Sequence, residues 1–188
     1  MVVLDSSILL LLFYPGAGVP EGKDGKPISR ARERVDYLVT QLEKSQIKII
    51  VPAPVLSEVL VRAGEKATNA IVAALSKQVR FRIEAFDTRA AIELALMTRE
   101  EQRSIGRKKK LGEAETYAKL KFDRQIVAIA SVCGAETIYS DDASLRAIAK
   151  RKQIEAIGVG DLSLPPNASA NLELFDPTKL LRLAAPSE

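Results

Sequence analysis

Short apolar runs alternate along this chain with longer stretches in which apolar residues recur at every third or fourth position. Residues 1–4 form one apolar run, ending at Asp5. Residues 47–51, 137–139 and 154–159 form three more, while Val79, Phe81 and Ile83 alternate with Arg80, Arg82 and Glu84. Runs this short, bounded by polar residues, predict buried strands, and the alternating one a half-buried strand. Helical spacing appears at 8–13, at Val35, Leu38, Val39 and Leu42, and at Val55, Leu56, Val59 and Leu60. Pro54 suits the first turn of the last of these, which ends near Gly64. Further helices are predicted over 68–77, through Ala91, Leu94 and Ala95 behind a cap at Asp87 or Thr88, over 113–133 with a break near Phe122, and over 143–152. Strands that alternate with helices predict an α/β layer fold around a parallel sheet.

Three segments break the pattern. Residues 15–27 hold four Gly and three Pro and read as a loop. Residues 99–112 form a basic insertion, in which Arg99, Arg103, Arg107, Lys108, Lys109 and Lys110 outnumber Glu100 and Glu101. After Leu162 the periodicity lapses. Residues 163–188 read as an arm on a domain that spans 1–162, with Leu180, Leu181 and Leu183 suited to a short docking helix. No apolar run reaches the length of a membrane span, and residues 8–14 lack the basic flank of a signal peptide, so a cytoplasmic location is expected.

Composition narrows the chemistry. The 188 residues are 47% hydrophobic but only 5% aromatic, with no Trp, so the core must rest on Leu, Ile, Val and Ala. There is no His, which excludes Ser–His and Cys–His catalysis and His-ligated metal sites. The single cysteine, Cys133, lies in an apolar stretch and excludes an intrachain disulfide. An enzyme made from this chain must therefore work with carboxylates or hydroxyls. The net charge of +4, from 28 Lys and Arg against 24 Asp and Glu, tolerates a polyanionic partner without requiring one.

Acids stand where such a fold collects its functional groups, at the carboxyl ends of strands. Asp5 ends the first strand, and Asp141 and Asp142 end the fourth. Glu58 lies in the first turns of the helix after Pro52, and Asp123 opens or interrupts the long helix before the fourth strand. Each has an ordinary alternative. Asp5, Asp123 and Asp142 are all suited to cap helices, and Glu58 could face solvent. Gathered on one rim, they would repel one another unless they shared a divalent cation. Oxygen donors of this kind favour Mg²⁺ or Mn²⁺, which activate water and stabilise the leaving oxygen of a phosphodiester.

The segments VVLDSSILL, VPAPVLSEVL, FRIEAFDTRAAIELAL, KFDRQIVAIASVCGAETIYSDD and IEAIGV resemble PIN domains, in the family's order, over about residues 1–160. The most specific piece runs from Lys121 to Asp142, with Asp123 opening an Ile/Ala-rich helix and Ser140, Asp141 and Asp142 ending the next strand. The resemblance implies a three-layer α/β fold with strand order 3-2-1-4-5 and Mg²⁺- or Mn²⁺-dependent cleavage of RNA. It implies catalytic roles for Asp5, Glu58, Asp123 and Asp142, and metal ligation by these four or by Asp141. Ser7 and Ser140 would orient carboxylates. Asp142 matches the last family acid better than Asp141, and both stay open as ligands.

The family includes toxins of toxin–antitoxin pairs and RNA-processing members. The loop at 15–27, the basic insertion and the C-terminal arm all depart from its compact toxins. An antitoxin or a second copy of the chain are the protein partners it implies. Arg103, Arg107, Lys108, Lys109 and Lys110 could grip an RNA backbone, or form a solvated loop. The alternative function is a PIN-like RNA- or protein-binding module without turnover. An aspartyl-phosphate enzyme would want an acid where Ser7 stands, and a receiver domain a paired acidic cluster near the first strand.

Overall fold

A computed structural model describes residues 1–14, 16–22, 24–105 and 114–166. Arg107, Lys108, Lys109 and Lys110 lie outside these residues, as does most of the expected arm at 163–188. Five parallel strands form one sheet: β1 (Val2–Leu4), β2 (Ile49–Pro52), β3 (Phe81–Glu84), β4 (Thr137–Tyr139) and β5 (Glu155–Ile157). Their order is β3-β2-β1-β4-β5, as the resemblance implies. Helices α1 (Ser6–Phe13) and α2 (Ala31–Lys44) join β1 to β2, and α3 (Ala53–Ala63) and α4 (Glu65–Lys77) join β2 to β3. Helices α5 (Thr88–Ile105) and α6 (Ala114–Val132) carry the chain back across the sheet to β4, and α7 (Ala143–Arg151) leads to β5.

Every residue of β1, β2 and β4 is buried, which is why these strands read as continuous apolar runs. The edge strand β3 is different. Phe81 is buried, but Ile83 is partly exposed and Val79 lies outside the strand at 90% exposure. The alternation at 79–83 thus predicts a strand two residues too long, because an edge strand has a neighbour on only one side. Right-handed crossovers put α1–α4 on one face of the sheet and α5–α7 on the other, since the chain reverses its direction of travel after β3. The packing of α1 on α2 and α3, and of α6 on α5 and α7, follows that division.

Helix α6 corrects one expectation. It runs unbroken through Phe122 and Asp123, so Asp123 neither opens nor interrupts it. A mid-helix Asp carries a small propensity penalty. Burial of Ile126, Val127, Ile129 and Ala130 outweighs it. The helix stops at Gly134, whose φ of 68° is left-handed; its N–H donates to Ser131 and that of Ala135 to Ala130. Cys133, just past the end of the helix, is half-buried against the core. Among the described residues no helix is long and apolar enough to cross a membrane.

Candidate active site at the sheet switch point

The strand order reverses between β1 and β4, and there the carboxyl ends of two neighbouring strands open a crevice. Leu4 pairs with Tyr139, and the Asp5 N–H donates to the Tyr139 carbonyl at 3.1 Å. This register sets Asp5 beside the Ser140–Asp142 segment, 135 residues away in sequence. Asp5 occupies the N-cap position of α1 without capping it through its side chain. The carboxylate is instead held by Ser140 Oγ, which donates to Oδ2 at 2.7 Å, with Ser7 Oγ at 3.4 Å from the same oxygen. Both hydroxyls thus lie against the Asp5 carboxylate. Asp5 is only 5% exposed. Burial pushes its carboxyl up to about 6, aided by the charges of Glu58 and Asp142 and opposed by the Ser140 and Ser6 hydrogen bonds.

Asp142 combines two roles. Its Oδ1 caps α7, accepting from the N–H groups of Ser144 at 2.7 Å and Leu145 at 3.2 Å. Its Oδ2 meets Lys119 Nζ at 2.7 Å. Burial raises this carboxyl, but Lys119 and the two backbone donors outweigh it and hold Asp142 below its ordinary value. Asp123 faces the same crevice from α6 and is 6% exposed. Its Oδ2 is buried without a hydrogen-bond partner among the described residues. Burial raises Asp123 first, Asp142 and Glu58 add to the rise, and Ser144 and Lys119 oppose it. Ser144 and Lys119 are thus site residues that the sequence reading misses. Their signals were an i−4 spacing that puts Lys119 on the face of Asp123, and a serine in the first turn behind Asp142.

Asp141 is not brought to this cluster. Its Oδ1 accepts the Val159 N–H at 2.9 Å, tying the end of β4 to the 3-10 turn Val159–Asp161 beyond β5. Burial raises this carboxyl as well, and its charged neighbours are Arg146 and Asp161 rather than Asp5 or Asp123. Its Oδ2 is buried without a hydrogen-bond partner among the described residues.

Gly158 makes the Asp141 latch possible. A Cβ there would lie 2.9 Å from Asp141 Oδ1 and 2.6 Å from Arg146 Nη1. The Arg146 tip can move, whereas the Asp141 carboxylate is fixed by Val159. Gly158→Ala is therefore expected to destabilise the fold by about 1–3 kcal/mol. Urea denaturation measures this, and an unchanged midpoint would refute the tight latch.

Glu58 reaches the crevice from α3. It is partly exposed, pairs with Arg62 at 2.9 Å, and its charge acts on both Asp5 and Asp123. Beside it opens a groove of about 380 Å³, lined by Ser7, Leu10, Tyr14, Gly16, Gly18 and Arg62 among others. Arg103 is exposed in the last turn of α5. The charges of Glu58 and Asp142 thus act on both Asp5 and Asp123, and the hydroxyls of Ser7 and Ser140 lie against Asp5.

No family model matches the chain, and no curated protein matches it. Among solved structures it is similar to VapC20 of Mycobacterium tuberculosis, a sarcin-ricin loop cleaving toxin. The likeness covers 78% of this chain and 94% of that one, at 15% identity and a TM-score of 0.45.

The donor set suits a hard divalent cation. It offers carboxylate oxygens alone, and Asp123 Oδ2 is buried with its hydrogen-bonding capacity unused. Among the described residues, however, no three acids already stand at the spacing of a formed metal cage. The cation nearest to Asp142 is the ammonium of Lys119.

Proposed function

We propose that this chain is a Mg²⁺- or Mn²⁺-dependent endoribonuclease with its active site in the β1/β4 crevice. What supports this reading is that Asp5 and Asp123 are both buried acids on which the charges of Glu58 and Asp142 act, and that one Asp123 oxygen has no hydrogen-bond partner among the described residues. Ordinary capping explains Asp142 but neither Asp5 nor Asp123. Asp5, Glu58, Asp123 and Asp142 would hold the ion. A bound divalent cation would lower the pKa of an attacking water and stabilise the leaving oxygen of the phosphodiester.

The chain's own residues prepare for that step. Ser140 and Ser7 fix the rotation of the Asp5 carboxylate. The groove beside Ser7 offers the ring of Tyr14 and the guanidinium of Arg62 to a nucleotide flanking the cut. Arg103, with Arg107, Lys108, Lys109 and Lys110, would draw in the RNA backbone. An antitoxin and a second copy of the chain are the protein partners that belong to this reading.

A second reading is a PIN-like RNA- or protein-binding module without turnover, favoured by the pairing of Lys119 with Asp142. Incubation with single-stranded and structured RNA, with Mg²⁺, Mn²⁺ or chelator, separates the two. Cleavage that needs the ion is expected, and RNA bound but never cut would establish the module instead. Growth arrest on expression, lost in Asp5→Asn, would distinguish a toxin from an RNA-processing enzyme.

A further inference from the structure

We infer that the groove between α1 and α3 is a preformed site for one unpaired nucleotide, which stacks its base on Tyr14 and sets a phosphate against Arg62, and so admits single-stranded RNA in preference to duplex. The choice of RNA rests on the ribonuclease reading above; the binding itself needs neither a metal ion nor turnover.

The groove has a volume of about 380 Å³. That lies at the lower end of the roughly 300–1,000 Å³ of small-ligand sites and gives room for one nucleotide. Ser7 lines it, and the Ser7 hydroxyl lies 3.4 Å from Asp5 Oδ2, so a nucleotide seated there adjoins Asp5. Leu10 and Pro20 make the walls apolar, and Gly16, Ala17 and Gly18 add nothing larger than a methyl group. Tyr14 is 37% exposed, and its ring lies over Gly16. A Cβ at Gly16 would come within 3.1 Å of Tyr14 Cζ and 3.2 Å of its hydroxyl oxygen, so glycine is what lets the ring pack against the backbone there.

The wall is held before any ligand arrives. The guanidinium of Arg32, on α2, donates to the carbonyls of Leu11 at 2.7 Å, Tyr14 at 3.0 Å and Ala17 at 3.3 Å. Leu11 has no helical donor four residues on, because that residue is Pro15. A wall fixed in this way loses little freedom on binding. Arg62 supplies the polar end. Glu58 takes a hydrogen bond from its Nη2 at 2.9 Å, one of five N–H donors, and the side chain is 61% exposed. A planar guanidinium can meet a phosphate through two parallel hydrogen bonds. A base inside a duplex is covered on both faces by its neighbours and cannot lie on Tyr14, whereas an unpaired base can.

Fluorescence anisotropy of the full chain in chelator tests this, with a labelled, 2′-O-methylated RNA single strand of mixed sequence and the same strand in a duplex. The single strand is expected to bind the wild type about tenfold more tightly than the duplex, the difference made by one stacked base. Tyr14→Leu should weaken single-strand binding about 5–100-fold, and Tyr14→Phe, which keeps the ring, by less than about twofold. Arg62→Gln should weaken it too and lower its salt dependence by about one phosphate contact. Both positions are partly exposed, so the variants keep the fold. Equal binding of the two probes, an unchanged Tyr14→Leu chain, or a Tyr14→Phe loss as large as that of Tyr14→Leu would overturn the inference. A nucleoside monophosphate that displaced the single strand at equal concentration would mark a site for free nucleotides and overturn the RNA assignment. Nothing is cut in these measurements. The expected pattern in a chain that never cleaves RNA would therefore keep the site and remove the nuclease, and cleavage by a chain whose binding ignores Tyr14 would do the reverse.

Discussion

Asp5→Asn is expected to reduce RNA cleavage by roughly a thousandfold, equivalent to about 4 kcal/mol of transition-state stabilisation, while making the metal-free protein more stable at neutral pH. Asp5 titrates at about 6 in the fold against an ordinary value of 3.8. Between those values the folded state binds more protons than the unfolded one, so stability falls as pH rises through that window and stays lower above it. A shift of this size corresponds to about 3 kcal/mol. Asparagine carries no charge to bury, and its carbonyl oxygen can still accept from Ser140. At pH 7.5 without metal the variant is expected to melt roughly 5–10 °C above the wild type. The gain should vanish as pH falls towards 4. Asp36 on α2 is also pushed to about 6 by burial, so the difference between the two proteins, not the wild-type profile alone, isolates Asp5. Added Mn²⁺ should raise the melting temperature of the wild type and not of the variant. Undiminished cleavage would remove Asp5 from the mechanism, and equal melting at pH 7.5 would show that its charge is not penalised.

Ser140→Ala should have the next largest effect. Ser140 is fully buried and serves two partners, donating to Asp5 Oδ2 and accepting the Asp142 N–H at 3.0 Å. Its loss frees the Asp5 carboxylate to rotate and leaves a backbone donor unsatisfied. Cleavage is expected to fall by about 10–100-fold, the usual effect of removing a group that orients a metal ligand, with a stability loss of about 1–3 kcal/mol. The Ser140 hydrogen bond holds Asp5 down, so without it Asp5 should titrate above about 6. The acid limb of the pH–rate profile should then move to higher pH. Ser7→Ala removes two 3.4 Å contacts at a half-buried position, one donated to Asp5 Oδ2 and one accepted from the Asp141 N–H, and its limb should not move. Profiles of the two variants side by side decide the matter. Equal shifts, or none in Ser140→Ala, would contradict the assigned role.

The strands were legible because β1, β2 and β4 are covered on both faces, which demands unbroken apolar runs such as Val2–Leu4. The helices were legible because each buries one stripe, as α2 does with Val35, Val39 and Leu42. Where one-sided neighbours weaken that demand, as at Val79 on the edge of β3, the reading overran. The unbroken course of α6 through Asp123 was equally out of reach, since it rests on the tertiary burial of Ile126, Val127, Ile129 and Ala130.

The sequence alone determined the α/β alternation and placed Asp5, Glu58 and Asp142 near strand ends or helix starts. It also confined any chemistry to oxygen donors, because a chain with no His and one Cys has little else to offer. The tertiary structure alone set Asp142 against Lys119 and tied Asp141 to Val159. It also decided that Asp5 is buried against Ser140 rather than capping its helix, and that Lys119 stands among the acids. Those outcomes depend on pairings 18 to 135 residues apart, set by the register of β1 on β4 and of β4 on β5. Local pattern fixes which face of a strand or helix is apolar, but not what another segment brings to meet it.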